Sequence, residues 1–139
     1  MYQADLNAPI EENIQFGEKI DFSNVTNADG MFMNQSKIKE LVLPDSLQFI
    51  APNMFYGCSQ LRTVDIPEGV TVIGTDAFRL CTKLSCITLP ETVTQIGESA
   101  FYNCEKLNYI VWKGTAYTDA KTLHTVLREQ GVIKNEVWR

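Results

Sequence analysis

Four cysteines are the side chains of this sequence best suited to covalent chemistry. Cys58, Cys81 and Cys104 recur every 23 residues, whereas Cys86 falls outside that spacing. A nucleophilic thiol needs a histidine or a cation that lowers its pKa, and no such partner is evident for Cys86. We therefore expect the three regular cysteines to be reduced and structural. Cys86 is the candidate reactive thiol, and a hydrolase-like or thiol enzyme is an alternative that depends on this residue alone.

The other titratable residues give little support to catalysis or to a metal site. His124 is the only histidine, so it cannot build a ligand set by itself. The chain has no C-x-x-C pair for zinc, no G-x-S-x-G elbow and no glycine-rich phosphate loop. Asp45, Glu68 and Glu91 are also 23 residues apart and could hold Ca²⁺, although rows of charge on repeat proteins are usually solvated. We expect no enzyme activity, no cofactor and no metal; calcium binding by the acidic row stays open.

Composition excludes several classes of partner. The chain has 139 residues, 45% of them apolar, and a formal net charge of −5. An acidic chain is poorly suited to phosphate backbones and to anionic membranes, so we expect no nucleic acid. No apolar run approaches the roughly 18 residues of a spanning helix, and the start, MYQADLNAPIEEN, lacks the features of a signal peptide. We expect no direct membrane insertion; the oligomeric state stays open.

The cysteine spacing belongs to a longer repeat of 23 residues. Seven apolar or proline positions recur at this interval, four of them through four copies. They are the columns Phe32/Phe55/Phe78/Phe101, Ile38/Leu61/Leu84/Leu107, Leu41/Val64/Ile87/Ile110, Leu43/Ile66/Leu89/Trp112, Pro44/Pro67/Pro90, Leu47/Val70/Val93 and Ile50/Ile73/Ile96. A single unit cannot bury its own apolar side, but stacked units can. The repeat therefore predicts a solenoid in which each column becomes a ladder.

Each part of the repeat has a structural task. Segments such as LRTVDI alternate as half-buried strands do, and the following proline ends the strand. The segment DAFRLC predicts a short helical or 3₁₀ turn that buries Phe78. Asn34, Gly57 and Asn103 suit the left-handed conformation that stops such a turn, whereas Leu80, in the same column, does not fit.

The pattern F-x-x-C-x-x-L-x-x-I-x-L-P-x-x-V-x-x-I-G-x-x-A-F resembles the BspA-like class of bacterial leucine-rich repeats. The resemblance covers residues 28 to about 112. It implies an α/β fold, a right-handed leucine-rich-repeat solenoid with a parallel β-sheet and short helical or 3₁₀ turns. It also implies a non-enzymatic adhesion or recognition module, extracellular or at the cell surface if this chain is part of a longer exported one.

The two ends depart from the repeat and predict caps within a single domain, 1–139. Residues 1–27 are interpreted as an N-terminal cap and partial repeat that includes Ile20 and Phe22, 28–112 as the repeats, and 113–139 as a C-terminal cap helix and tail. YTDAKTLHTVLREQG predicts the helix, with Thr118 as its N-cap and His124 on its solvent side. Val132, Ile133 and Trp138 are expected to dock the tail. A cap over the last coil is favoured; a separate attachment element is the alternative.

The outward strand positions are the candidate ligand-binding surface, which we call the outer sheet face. It comprises Glu40, Val42, Thr63, Asp65, Cys86, Thr88, Tyr109 and Val111. Tyr109 beside Val111 has the character of an interaction hot spot. The alternative is that the C-terminal segment folds over both residues and hides them, and the sequence does not favour either one. The leading hypothesis is a binding module for a protein or carbohydrate at a bacterial surface. The alternative is a structural or assembly spacer of a larger surface or phage-like particle.

Overall fold

The computed structural model describes residues 2–3, 20–21 and 27–138. In this part of the chain, ten short strands precede one helix. They are β1 (Tyr2–Gln3), β2 (Ile20–Asp21), β3 (Glu40–Val42), β4 (Phe49–Ile50), β5 (Thr63–Asp65), β6 (Val72–Ile73), β7 (Cys86–Leu89), β8 (Gln95–Ile96), β9 (Tyr109–Trp112), β10 (Thr115–Tyr117) and α1 (Ala120–Glu129). Most of the predicted N-terminal cap, including Phe22, lies outside the described residues. β1 and β2 pair in parallel in a sheet of their own.

Pairing follows the 23-residue period without a slip. In the main sheet, ordered β10-β9-β7-β5-β3, Leu41 lies opposite Val64, which lies opposite Ile87 and then Ile110. A second parallel sheet, β4-β6-β8, aligns Ile50, Ile73 and Ile96 in the same way. The predicted solenoid with a parallel sheet is confirmed. We call each 23-residue turn of it a coil.

The phenylalanine column forms a continuous stack through the core. Neighbouring ring centroids of Phe32, Phe55, Phe78 and Phe101 are 5.4, 5.2 and 5.5 Å apart, and the ring planes lie within 12° of parallel. The thiol of each regular cysteine donates to the phenylalanine carbonyl of the preceding coil. The pairs are Cys58 to Phe32, Cys81 to Phe55 and Cys104 to Phe78, with S···O distances of 3.0–3.1 Å. All four cysteines are free, as expected for reduced thiols.

Two left-handed positions bracket the turn that carries each phenylalanine. Leu80 adopts φ 63°, like Asn34, Gly57 and Asn103 in its column. The leucine that does not fit the sequence pattern is therefore held in the left-handed conformation, which is energetically costly for a residue with a Cβ. The structure adds a second such column, which spacing alone did not reveal. Its members are Gly30, Asn53, Asp76 and Ser99, with φ between 57° and 65°.

The glycine of the I-G-x-x-A-F motif is required for a different reason. A Cβ on Gly74 would lie 2.6 Å from the Pro52 nitrogen and 2.9 Å from the Ala51 carbonyl carbon. Both obstacles are backbone atoms of the preceding coil, which cannot move aside as a side chain can. The motif therefore sets how closely two coils approach at this corner.

The C-terminal region differs from its prediction at its start. Lys113 and Gly114, with φ 49° and 78°, form a two-residue turn of the type that suits hairpins. β10 then pairs antiparallel with β9. The helix begins at Ala120, and its N-cap is Asp119, not Thr118. The prediction of Thr118 was wrong because the Asp119 carboxylate accepts from both the Lys121 amide and the Thr122 hydroxyl, each at 2.9 Å.

The tail after the helix takes the place of another coil. In the regular coils, the amide of Phe78 donates to the carbonyl of Ala100 in the next coil. At the last coil, Phe101 donates to Val137 and Ser99 donates to Glu136, both at 2.8 Å. Trp138 then lies against Phe101, with ring centroids 6.0 Å apart. Val132, Ile133 and Val137 are buried, so the tail packs over the apolar edge of the last coil.

Candidate functional site

The register of the main sheet brings the predicted residues of the outer sheet face into two ladders. Glu40, Thr63, Cys86 and Tyr109 are successive partners in one, and Val42, Asp65, Thr88 and Val111 in the other. Val42 is placed by its backbone alone. The residues between them in each strand, such as Val64 and Ile87, are buried. Side chains of a strand alternate between its two faces, so the ladders lie on the side away from the core.

The C-terminal segment does not hide the end of this face. Tyr109 retains 46% of its accessible surface, and Val111 is half-buried. Instead of folding across them, the chain returns beside β9 as β10, and Ala116 lies opposite Val111. Ala116 is exposed and belongs to the same surface. Sequence reasoning missed it because the hairpin turn is Lys-Gly, in which lysine is an unusual occupant of a left-handed position.

Charge divides the outer sheet face into two parts. The charged half, on β3 and β5, consists of Glu40, Thr63 and Asp65, and the exposed Lys39 and Arg62 precede its strands. The neutral half, on β7, β9 and β10, consists of Cys86, Thr88, Tyr109, Val111 and Ala116. Ser85 and Asn108 replace the two cations next to it. The neutral half thus combines one large aromatic ring, small apolar groups and hydroxyls, without a formal charge.

Comparison with known proteins identifies the family to which these repeats belong. The family model described as the BspA type leucine rich repeat region matches residues 17–122 in six copies. The chain belongs to this family. The expected resemblance is therefore confirmed, and the matched region extends to both sides of the predicted 28–112. No curated protein matches the chain significantly.

Two solved structures of leucine-rich repeat proteins are similar to this family member. One is a leucine rich cell surface protein from Faecalibacterium prausnitzii A2-165, with 37% identity and a TM-score of 0.65 over 73% of this chain. The other is a leucine-rich repeat protein from Bacteroides ovatus ATCC 8483, with 36% identity and a TM-score of 0.56 over 68% of this chain. The chain spans only 28% and 22% of their respective lengths.

The thiol on the outer sheet face lacks the surroundings of a nucleophile. Cys86 is half-buried, and burial, followed by the nearby Asp65 charge, raises its pKa. Nucleophilic cysteines need the opposite shift. Burial also raises the pKa of Cys58 and Cys104 to about 12 and raises that of Cys81. At neutral pH these thiols stay protonated, which matches their role as hydrogen-bond donors within a family whose fold is generally non-catalytic.

The acidic row does not form a cation site in the described part of the chain. Asp45, Glu68 and Glu91 are all exposed. Among residues 27–138 and the two short N-terminal strands, no group of three or more His, Cys, Asp or Glu is arranged to hold a metal ion. Within the same residues, no helix has both the length and the apolar character needed to cross a membrane.

A second surface feature lies on the turns and was not anticipated. The Arg79 guanidinium lies 4.4 Å from the ring centroid of Tyr102 and 5.8 Å from that of Tyr56. Its Nη1 also lies 3.4 Å from Asp76 Oδ1. Spacing could have found this stack, since Met33, Tyr56, Arg79 and Tyr102 share one column. Cation–π contacts of this kind contribute to stability on the order of 0.5–1 kcal/mol when exposed.

A third feature lies at the C-terminal end and corrects the placement of His124. The imidazole does not point to solvent; it is half-buried and meets the Trp138 ring edge-on, with ring centroids 5.9 Å apart. The tail causes this, because Trp138 occupies the place of the next phenylalanine and lies beneath α1. Both side chains line an open pocket of about 480 Å³. Sequence reasoning missed the pocket because it depends on where the tail docks.

Proposed function

We propose that this chain is a recognition module that presents the outer sheet face to a protein or glycan partner at a bacterial surface. The observation that carries the proposal is the neutral half, which no segment within residues 27–138 covers, with Tyr109 exposed beside Val111 and Ala116. Tyrosine combines a large apolar ring with a hydroxyl, and residues of this kind contribute much of the affinity at interfaces.

The shape of the strands also supports this surface as the working face. Parallel pairing holds each outward side chain at a fixed spacing from its neighbour, about 4.8 Å from strand to strand. A partner would therefore meet a preorganised surface, which lowers the entropy lost on binding. The cell-surface description of the Faecalibacterium protein supports a similar location for this chain.

The test compares two exposed aromatic residues on different sheets. The native chain, a Tyr109→Ala/Val111→Asp variant and a Phe49→Ala variant are applied to glycan panels and used in pull-downs from extracts. Phe49 is 56% exposed but lies on the second sheet, so it is a matched control for an exposed ring. We expect binding by the native chain and by Phe49→Ala, and at least tenfold weaker binding by the double variant.

Equal binding by the double variant and the native chain, with circular dichroism showing that both are folded, would reject the outer sheet face as the site. Loss of binding in Phe49→Ala alone would move the site to the second sheet. Asp65→Lys adds a finer test: a partner that contacts only the neutral half should be nearly indifferent to it, whereas one that also covers the charged half should not.

An assembly or spacer role is the second candidate function. It is favoured by the exposed acidic row of Asp45, Glu68 and Glu91, through which larger parts could be joined. The tail occupies the place of another coil, so a partner at this end would meet the tail before the last coil. Light scattering at increasing protein concentration tests this role: a strict monomer, with no association of a longer chain that includes its neighbouring segments, contradicts it.

A further inference from the structure

The edge of the main sheet at β10 contains backbone groups that the fold leaves unpaired. Trp112 and Thr115 flank a two-residue turn and lie opposite each other, so they are a hydrogen-bonded pair of the hairpin. The next pair, Val111 and Ala116, is then a non-hydrogen-bonded pair, in which the amide and the carbonyl of Ala116 point away from β9. Within the described residues, neither group has a hydrogen-bond partner. Ala116 therefore offers one donor and one acceptor at the edge.

The tail closes the second sheet and the turns at the C-terminal end, but it does not pair with this edge. The Val132 carbonyl accepts from the Ile96 amide of the second sheet at 3.0 Å, and the Val137 carbonyl accepts from the Phe101 amide of the turn at 2.8 Å. The main sheet ends instead at β10, where Ala116 is exposed. The backbone of β10 is therefore open to a partner within the part of the chain that the structure describes.

A donor and an acceptor on one strand residue are the groups to which an extended peptide binds. Such a peptide adds to the sheet as a further strand, in which main-chain hydrogen bonds supply affinity and alternate side chains supply specificity. Proline and charged side chains commonly protect an exposed edge from such pairing, and Thr115–Tyr117 contains neither. Because Ala116 supplies only two main-chain bonds, we expect a weak contact.

The helix beside this edge favours a single extended segment over a second copy of the chain. α1 contacts β10, and its exposed residues include Lys121, Arg128 and Glu129. Pairing of two copies at β10 would bring two such helices, with identical charges, to the same edge. An added strand requires only about 4.8 Å beside β10. The edge therefore suits one strand of a flexible segment.

Opposite charges at the two ends of β10 indicate which flanking residues a partner needs. Lys113 precedes the strand, Asp119 follows it, and both are exposed. Each carboxylate oxygen of Asp119 accepts one hydrogen bond within the protein and can accept another. Antiparallel pairing is slightly more stable than parallel pairing, and it places the first residues of a bound segment near Asp119.

We propose that the edge of β10 binds an extended segment of another protein as an antiparallel strand. A basic side chain of this segment lies opposite Asp119, and an acidic one lies opposite Lys113. The contact uses the backbone of Ala116 at the edge, whereas the outer sheet face uses side chains. The proposal therefore does not depend on the function proposed for that face.

The first experiment follows the Ala116 amide resonance by NMR during titration with the peptide acetyl-Lys-Thr-Val-Ala-Val-Thr-Asp-amide. Its central alanine is designed to lie opposite Ala116, with its lysine near Asp119. We expect the resonance to shift with a dissociation constant on the order of 1 mM or below. The same peptide with an N-methylated central alanine lacks the donor for the Ala116 carbonyl and should bind at least fivefold more weakly. No shift at about 5 mM peptide, or equal binding of the N-methylated peptide, overturns the proposal.

Substitutions then test the backbone groups of the edge. Ala116→Pro removes the outward N–H but no hydrogen bond to β9, and edge strands accept proline. It should weaken peptide binding at least tenfold, measured by ligand-observed NMR. Ala116→Val keeps the N–H and is the matched control, which should bind the peptide as the native chain does. Unchanged binding in Ala116→Pro, with circular dichroism showing a folded chain, overturns the proposal, as does an equal loss in Ala116→Val.

A variant on the outer sheet face separates this proposal from the function proposed for that face. Tyr109→Ala should leave the affinity for the peptide unchanged, because Tyr109 lies on β9 and not at the open edge. A loss of peptide binding in Tyr109→Ala equal to that in Ala116→Pro would place the peptide on the face and overturn the assignment to the edge.

A peptide with exchanged end charges tests the direction of the added strand. Acetyl-Asp-Thr-Val-Ala-Val-Thr-Lys-amide has the same composition and should bind at least threefold more weakly than the first peptide. Lys113→Asn suits the left-handed turn and Asp119→Asn still caps the helix, so each should reduce this difference without unfolding the chain. Equal or tighter binding of the exchanged peptide to the native chain overturns the antiparallel assignment.

Sedimentation velocity of the chain alone tests the other occupant of the edge. We expect no dimer that depends on Ala116, because two α1 helices would meet there. A dimer that Ala116→Pro dissociates and Ala116→Val retains would assign the edge to a second copy and overturn the proposal.

Discussion

The middle coils and the closing tail meet the same requirement with unrelated sequences. Between Phe78 and Ala100 the hydrogen bond joins two copies of one repeat, whereas between Phe101 and Val137 it joins a repeat to a segment that shares none of its motif. The amides of the last coil need acceptors wherever these come from. The comparison shows that the unpaired backbone amides of the last coil determine where the tail docks. Only the middle coils need the repeat sequence to supply their hydrogen-bond acceptors.

The largest difference between the two regions should appear when an aromatic ring is removed. Phe78 is fully buried and stacked on both sides, so Phe78→Ala should lower the free energy of unfolding by about 3–5 kcal/mol. Trp138 is half-buried and has a stacking neighbour on one side, so Trp138→Ala should cost about 2 kcal/mol. Urea unfolding of both variants measures the difference. Equal losses would mean that the tail is as integral to the fold as a coil, which contradicts the comparison.

Two glycines provide a sharper contrast of intermediate size. Gly74→Ala places a Cβ against the backbone of the preceding coil, and we expect a loss of about 3 kcal/mol because packed backbone cannot yield. Gly131, which joins α1 to the tail, has φ 74° and open space around it. Gly131→Ala should therefore cost only the left-handed conformation, about 1 kcal/mol. Thermal unfolding of the two variants compares these costs, and a larger loss at Gly131 would show that the tail tolerates less change than the coils.

The smallest effect concerns a single column of the turns. Leu80→Asn should raise the free energy of unfolding by about 0.5–1 kcal/mol, because asparagine adopts the left-handed conformation more readily than leucine. Asn103→Leu is the reciprocal change one coil later and should lower it by a similar amount. Melting temperatures should move by roughly 3 °C in opposite directions. A loss of stability in Leu80→Asn would mean that contacts of the half-buried leucine outweigh its backbone cost.

The parts of the fold that could be predicted are those that repeat. The step from Leu41 to Val64, Ile87 and Ile110 is visible as a column, and parallel pairing then places the outer sheet face without further information. The binding role of that face stays a prediction, since its residues carry no chemistry that identifies a ligand.

The parts that could not be predicted depend on contacts made once in the molecule. Lys113 in a left-handed turn has no copy elsewhere, so β10 and Ala116 were missed. The helix position of His124 was expected, but its orientation depends on Trp138, which docks from a segment without periodicity. Asp119 is the N-cap in place of Thr118 because its carboxylate also accepts a hydrogen bond from Thr122. The spacing of residues in the sequence does not show which of two neighbouring cap residues makes such a bond.

The three regularly spaced thiols provide a way to measure the local opening of individual coils. Each of Cys58, Cys81 and Cys104 belongs to a different coil, is shielded from solvent and bonds to the coil before it. An alkylating reagent can reach such a thiol only when its own coil opens. The alkylation rate of each thiol would therefore report how often its own coil opens. The order of the three rates would show at which end of the solenoid unfolding begins.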